Sequence, residues 1–311
     1  MAILFMSTEQ GATDTYVPLL KRHLPDQDIR VWPDAMGDIS DIDYAVISVP
    51  KPGVLGGLPN LKAVLSLWAG VDGLLADPTF PREIPLARMV DPLLAVDMTQ
   101  FAIHWALHFH RGLHHYAGLQ QRKEWRQIAY PETSERRVGI MGLGVLGTDA
   151  AANLAAMGFD VAGWDALEKS IDGVEMFVGL DQLKDFLKRT EILVVLLPLT
   201  EETRGIINSE TLAMLPSGAF VISLARGAHI VDADLLAALD SGQIERAVLD
   251  AFVAEPIATD HPFWSHAGVI VTPHIASKTT PRTAAAEIAI DVRRLQAGEM
   301  PRHLVDVNKG F

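Results

Sequence analysis

The sequence predicts an α/β protein built from two Rossmann-like, doubly wound domains, and three observations predict it. Between Arg137 and about Thr272, short β-branched runs alternate with Ala- and Leu-rich helical segments. The first hundred residues repeat that alternation more loosely, and a Gly-x-Gly-x-x-Gly stands between a strand and a helix at Gly142 to Gly147. Alternating β and α elements give parallel sheets. The larger domain is therefore expected to be a dinucleotide-binding Rossmann domain, and the smaller one to be flavodoxin-like.

In chain order, the smaller domain is expected to hold strands at Ile3 to Met6, Ile29 to Trp32, Tyr44 to Val49, Ala63 to Leu67 and Leu86 to Val90. A helix runs from about Thr13 to His23, and Pro/Gly-rich turns fall at Val49 to Gly53 and Gly56 to Asn60. The larger domain reads as strands Val138 to Met141, Phe159 to Trp164, Ile192 to Leu197, Ala219 to Leu224, Ala247 to Asp250 and Val269 to Val271. Such nearly continuous apolar runs suit strands buried on both faces. Helices follow at Thr148 to Met157, Asp181 to Lys188 and Ala233 to Leu239, the last with Asp232 as expected N-cap and Gly242 as stop. Two longer helices, about Asp97 to Leu119 and Pro281 to Gly298, are expected to cross between domains. That divides the chain into a substrate-binding domain, residues 1–97 with 283–311, and a dinucleotide-binding domain, residues 98–282.

The composition excludes several function classes. A chain of 311 residues with no Cys has no disulfide framework, no Cys-ligated zinc or iron–sulfur site and no thiol nucleophile. A net charge of −13 repels phosphate backbones and anionic lipid, so neither nucleic acid nor a membrane is the expected partner. The apolar run Ile192 to Leu199 is too short to span a bilayer and the first residues lack a basic segment, so a cytoplasmic protein is expected.

In the loop Gly142-Leu143-Gly144-Val145-Leu146-Gly147, the first Gly permits a tight turn and the second lets backbone approach a pyrophosphate. The third packs helix on strand, while the helix N-terminus offers unpaired N–H groups. The next strand ends at Asp165, 23 residues beyond Gly142, close to the offset at which a carboxylate takes the ribose hydroxyls. A carboxylate there accepts from a free 2′-hydroxyl and repels a 2′-phosphate. NAD(H) is thus expected over NADP(H), with Lys169 able to fold back and reverse the preference.

Three titratable residues follow predicted strands at the carboxyl edge, where ligands bind in such sheets: Arg226, Glu255 and His274. Taken singly they read as a surface cation, a loop carboxylate and a satisfied loop histidine. Together they match what reduction of a 2-oxo acid needs: a cation for the carboxylate and carbonyl, a proton donor, and a carboxylate that favours the donor's protonated form.

Leu224-Ala225-Arg226-Gly227, the Leu249-Asp250 to Glu255-Pro256 segment and Thr272-Pro273-His274 resemble the D-isomer-specific 2-hydroxyacid dehydrogenases along essentially the whole chain. Leu67-Trp68-Ala69-Gly70-Val71-Asp72, Gly144 to Gly147 and Leu235 to Gly242 are similar to the glyoxylate/hydroxypyruvate reductase A branch. The resemblance implies that His274 is the general acid, Glu255 its orienting partner and Arg226 the polarising cation. It further implies that Trp68, Ala69, Gly70 and Val71 offer N–H groups to the substrate carboxylate and that Asp250 holds the nicotinamide carboxamide. Cofactor contacts are implied at Leu197, Pro198, Thr203, Leu224 and Ala225, with Met98 and Gln100 near the nicotinamide. The branch usually carries Ser-Arg-x-Arg-Lys after the second strand and prefers NADPH, whereas here Asp165-Ala166-Leu167-Glu168-Lys169 stands in its place.

His104, His108, His110, His114 and His115 crowd one predicted helix, but without Cys or a zincin Glu no metal site is expected from them. Phe101, Trp105, Phe109, Leu113 and Tyr116 mark an apolar stripe on that helix, expected to be buried between domains or in a homodimer. The expected activity is reduction of glyoxylate or hydroxypyruvate to the D-2-hydroxy acid. The rival readings are a bulkier 2-oxo acid such as phenylpyruvate, and a dinucleotide-sensing protein resembling a corepressor.

Overall fold

The computed structural model describes residues 1–310; Phe311 lies outside the described residues. Two compact units form, one from Met1–Leu94 with the chain from Thr279 onward, the other from Ala95–Lys278.

In the first unit, β1 (Ala2–Met6), β2 (Ile29–Val31), β3 (Ile42–Ile47), β4 (Ala63–Ser66) and β5 (Leu86–Ala87) form a wholly parallel sheet ordered β2-β1-β3-β4-β5. That is the flavodoxin-like order. Strands β1, β3 and β4 are buried at every position, as their unbroken apolar runs require. Helix α1 (Ala12–His23) lies on one face, and the short α2 (Asp72–Leu75) follows β4.

Helix α3 (Pro92–His110) ends earlier than the expected helix 97–119. Gly112, at φ +62°, breaks it into a 3-10 turn at Leu113–His115 and a short α4 (Tyr116–Gln121). Apolar periodicity continued across the break and concealed it in the sequence.

The second unit carries β6 (Arg137–Met141), α5 (Val145–Ala156), β7 (Asp160–Asp165), β8 (Val174–Val178), α6 (Gly179–Arg189), β9 (Ile192–Val195), α7 (Ser209–Met214), β10 (Ala219–Ser223), α8 (Asp232–Asp240), β11 (Ile244–Leu249) and β12 (Val269–Val271). The seven strands are parallel in the order β12-β11-β10-β9-β6-β7-β8, a Rossmann order that reverses between β6 and β9. Met141 pairs with both Trp164 and Val195, so β6, β7 and β9 end level and their loops emerge together at the switch point.

Strand β8 was missed because Val-Glu-Met-Phe-Val is a half-exposed edge strand without a strongly apolar run. Asp232 is not the N-cap of α8: Val231 holds that position, and the Asp232 carboxylate sits in the first turn, where it favours the helix dipole instead. The last helix, α9 (Pro281–Gln296), returns to the first unit, where Ala285, Ile288 and Val292 join Tyr16, Val17 and Leu20 of α1 in one apolar cluster.

Candidate active site

The glycine loop has the geometry a pyrophosphate requires. Gly142 turns the chain out of β6 at φ +92°, and a Cβ on Gly147 would lie 1.9 Å from the Gly142 carbonyl oxygen, so helix and strand meet there only through glycine. Beside Gly144 there is open space, and this residue caps α5 without a side-chain hydrogen bond. Exposed Val145, half-buried Leu146 and buried Gly147 form the first turn of α5, whose N–H groups point out of the helix end. These residues fit a dinucleotide.

Asp165 ends β7 with its carboxylate already engaged. Oδ2 accepts from Leu143 N–H at 2.7 Å and from Lys169 Nζ at 3.1 Å, and Oδ1 accepts from Leu167 N–H at 3.1 Å. Lys169 Nζ also donates to the Leu143 carbonyl. Lys169 has thus folded back onto the acid, and the acid is no longer a free anion facing a ribose.

The loops after β9 and β10 are tied together from below. Thr203 Oγ1 donates to the Pro198 carbonyl at 2.7 Å and accepts from Thr200 N–H at 2.8 Å, which fixes the turn after buried Leu197. His229, fully buried, places Nε2 3.2 Å from the Pro198 carbonyl and accepts at Nδ1 from Arg226 N–H at 3.2 Å. Leu224 and Ala225 are buried just before Arg226, whose Nη1 donates to the Ala225 carbonyl at 2.8 Å. A Cβ on Gly227 would meet the Phe252 carbonyl carbon at 2.2 Å, so the Arg226 turn lies directly against the loop that carries Glu255.

Glu255 and His274 come together as the sequence predicts. His274 Nδ1 lies 2.8 Å from Glu255 Oε2, while Glu255 Oε1 accepts from Phe252 N–H at 2.9 Å. His274 is the one residue in this constellation with a left-handed backbone, at φ +53°. Such a conformation costs about 1–3 kcal/mol and persists only where its surroundings over-determine it. Asp250 supplies them: almost wholly buried, it accepts from Thr272 Oγ1 at 2.6 Å, Ile275 N–H at 2.9 Å and Ala276 N–H at 2.8 Å. It clamps both flanks of the His274 turn, a role the sequence did not reveal.

In the first unit, Trp68 spends its N–H on Ser66 Oγ at 3.0 Å, so it cannot also offer that group to a substrate. The N–H groups of Ala69, Gly70 and Val71 have no hydrogen-bond partner among the described residues, and Val71 opens α2. Met98 is buried in the core of the second unit and Gln100 is exposed on α3. Phe109 belongs to that same core, stacked on Phe220 at 4.5 Å, so this part of the expected stripe is internal to one unit.

Residues 103–276 match the D-isomer specific 2-hydroxyacid dehydrogenase NAD-binding domain. The chain belongs to this family. Among curated relatives it is similar to the glyoxylate/hydroxypyruvate reductase A of Serratia proteamaculans, 41% identical over 297 residues and 94% of each chain. Among solved structures it is similar to a D-isomer specific 2-hydroxyacid dehydrogenase from Xanthobacter autotrophicus in complex with NADPH and MES. That pair is 40% identical, with a TM-score of 0.95 over 100% of this chain and 99% of the other. An NADPH-dependent glyoxylate/hydroxypyruvate reductase from Sinorhizobium meliloti in complex with NADP and sulfate is 35% identical, with a TM-score of 0.92 over the whole of both chains.

As a member of the 2-hydroxyacid dehydrogenases, the chain is an NAD(P)-dependent oxidoreductase, and its second unit contains the matched NAD-binding domain. The expected preference for NADH over NADPH is not supported: the two similar structures hold NADPH and NADP, and Asp165 is paired with Lys169. Among the described residues, no helix is long and apolar enough to cross a membrane. His229 braces the Arg226 turn against the Pro198 loop, a placement the sequence did not single out. Its only signal was its position three residues beyond Arg226, at the end of the same turn.

Proposed function

We propose that this chain reduces small 2-oxo acids, glyoxylate and hydroxypyruvate first, to the D-2-hydroxy acids. The observation that carries the reading is the Glu255–His274 pair, 2.8 Å apart, with the loop of Glu255 packed at Phe252 against Gly227 of the Arg226 turn. With Nδ1 held by Glu255, His274 Nε2 is the atom that delivers a proton to the developing alkoxide. Glu255 orients the ring through its hydrogen bond with Nδ1. Arg226 grips the carboxylate and polarises the carbonyl, as a guanidinium does with two parallel donors. The N–H groups of Ala69, Gly70 and Val71 complete carboxylate binding in this reading, with Trp68 restricting pocket size.

A nicotinamide dinucleotide would supply the hydride when bound. Gly142, Gly144, Val145, Leu146 and Gly147 would hold its pyrophosphate, Asp165 and Lys169 its adenosine ribose, and the stretches Leu197-Pro198, Thr203 and Leu224-Ala225 its nicotinamide half. Asp250 Oδ2 accepts one hydrogen bond within the chain and keeps acceptor capacity for the carboxamide. NADPH stands beside NADH as cofactor here, because Lys169 offsets the charge that would repel a 2′-phosphate.

We also infer a homodimer formed about the segment after α3. Leu113 and Tyr116 are exposed there and Trp125 is entirely so, which leaves an apolar surface open. Light scattering that shows a monomer at micromolar concentration overturns this part. The reaction is placed in the cytoplasm on the same reading.

The deciding experiment is an initial-rate assay of glyoxylate and hydroxypyruvate against NADH and NADPH, following nicotinamide absorbance. Turnover in at least one pair is expected. Absence of turnover in all four, with dinucleotide still bound, overturns the reading in favour of a larger 2-oxo acid or a sensor.

A further inference from the structure

We propose that His114, His115 and Glu245 bind one divalent transition-metal ion of the zinc class, at a site separate from the residues of hydride transfer. His114 Nε2 lies 2.8 Å and His115 Nε2 3.3 Å from the same carboxylate oxygen, Glu245 Oε1. One ligand atom from each residue falls within 4.8 Å of the others, the one such group of His and carboxylate side chains among the described residues. Zinc bonds of about 2.0–2.2 Å to imidazole nitrogen and carboxylate oxygen set tetrahedral ligand separations of roughly 3.4 Å, so small rotations of these side chains admit an ion.

The backbone explains why adjacent histidines converge. In a continuous α-helix, neighbouring side chains diverge by about 100°. Here Gly112 ends α3 and the 3-10 turn Leu113–His115 brings the two rings to 3.9 Å between centroids. The third ligand comes from the far side of the sequence, on β11, 131 residues from His114. Glu245 stands at the amino end of that strand, whereas Asp250 of the candidate active site follows its carboxyl end, roughly 16 Å of extended chain away.

Two imidazoles and one carboxylate form a three-ligand set that leaves a fourth position for an exchangeable group. His114 is almost buried on the inner side, and His115 and Glu245 are partly exposed, so in a single chain the open position faces outward, on the segment about which the proposed homodimer would form. It adjoins a groove of about 570 Å³ lined by Arg122, Arg126 and Arg246. In a chain of net charge −13, the Arg126 and Arg246 guanidiniums at the opening, beside an Arg122 paired with Glu124, favour an anion as fourth ligand. The ion would fasten the turn after α3 to β11 and stabilise the second unit.

The test is a Co²⁺ titration of the tag-free, chelator-treated full-length chain, read by visible ligand-field absorption, followed by Zn²⁺ displacement and thermal unfolding with and without Zn²⁺. One Co²⁺ per chain with tetrahedral bands and micromolar or tighter affinity is expected, together with a rise in Tm on adding Zn²⁺. His115→Ala and Glu245→Gln should weaken binding at least tenfold, while a His104→Ala/His108→Ala double variant should bind as the parent does. Glu245→Gln keeps an acceptor for His114, so its metal-free Tm should stay near the parent's and separate lost binding from lost folding. No stoichiometric binding, octahedral bands alone, or binding indifferent to both His115→Ala and Glu245→Gln overturns the proposal and leaves a hydrogen-bonded His–Glu cluster.

Discussion

Glu255 holds His274 through one carboxylate oxygen and its own loop through the other: Oε2 lies 2.8 Å from His274 Nδ1, and Oε1 accepts the Phe252 N–H at 2.9 Å. The acid's partner is thereby anchored to backbone. Reorienting either side chain breaks a bond at the far end.

The first prediction tests that pair. His274→Ala should lower kcat a hundredfold or more while leaving NADPH affinity within about threefold, because a positioned general acid contributes on the order of 10²–10⁴. Glu255→Gln should retain the Phe252 contact but lose the carboxylate oxygen that holds His274 Nδ1, lowering kcat. Turnover of His274→Ala above a tenth of the parent's would remove His274 from the chemistry.

Asp250 yields a second prediction. Its two oxygens receive one hydroxyl and two N–H donors around the His274 turn, and an amide can present only one oxygen to them. Asp250→Asn should therefore set an NH₂ against a backbone N–H and cost about 2 kcal/mol. In a unit of this size that is a Tm drop of roughly 4–8 °C. It should also reduce turnover, since the left-handed conformation of His274 loses its support. An unchanged Tm would mean that the turn holds without the clamp.

Both sheets were legible in the sequence because strands buried on both faces write themselves as continuous apolar runs. Ile192 to Val195 and Ala219 to Ser223 are examples. Half-exposed β8 lacks that signature, and the Gly112 break hid inside an apolar stripe that runs from Phe101 to Tyr116. In the site, Arg226, Glu255 and His274 stood out by residue type and by following strands. The bracing set did not: Asp250 resembles any strand-end Asp, and the Pro198 carbonyl that His229 meets lies on a loop about thirty residues away. Such roles are properties of tertiary proximity. The reversed charge logic at Asp165 was hidden for the same reason, since a Lys four residues on can point anywhere until the loop is built.

That reversal makes a third prediction. Lys169→Ala should expose Asp165 as an unpaired anion and lower kcat/KM for NADPH about tenfold relative to NADH. Asp165→Asn keeps an acceptor for Leu143 N–H while removing the charge, and should move the ratio about tenfold the other way. A tenfold change corresponds to about 1.4 kcal/mol, modest for one charge near a phosphate. Ratios within twofold of the parent's for both variants would show that the adenosine phosphate is read elsewhere.

The last prediction concerns acid stability. His110 ends α3 almost wholly buried, with its ring edge-on to Phe159 at 5.2 Å and Tyr130 at 5.5 Å. Burial first, then Arg136 and Arg111, push its imidazole below the usual range. The unfolded chain takes up this proton near pH 6.5 whereas the native state still refuses it, so stability is full above about 6.5 and is lost as pH falls toward the lower native value. His108 and His303 are displaced in the same direction by burial and add to the slope. His110→Phe keeps the aromatic contacts and removes the proton, so urea unfolding across that window should show a slope shallower by up to about 1.4 kcal/mol per pH unit. Identical slopes in parent and variant would mean that His110 takes its proton equally in both states.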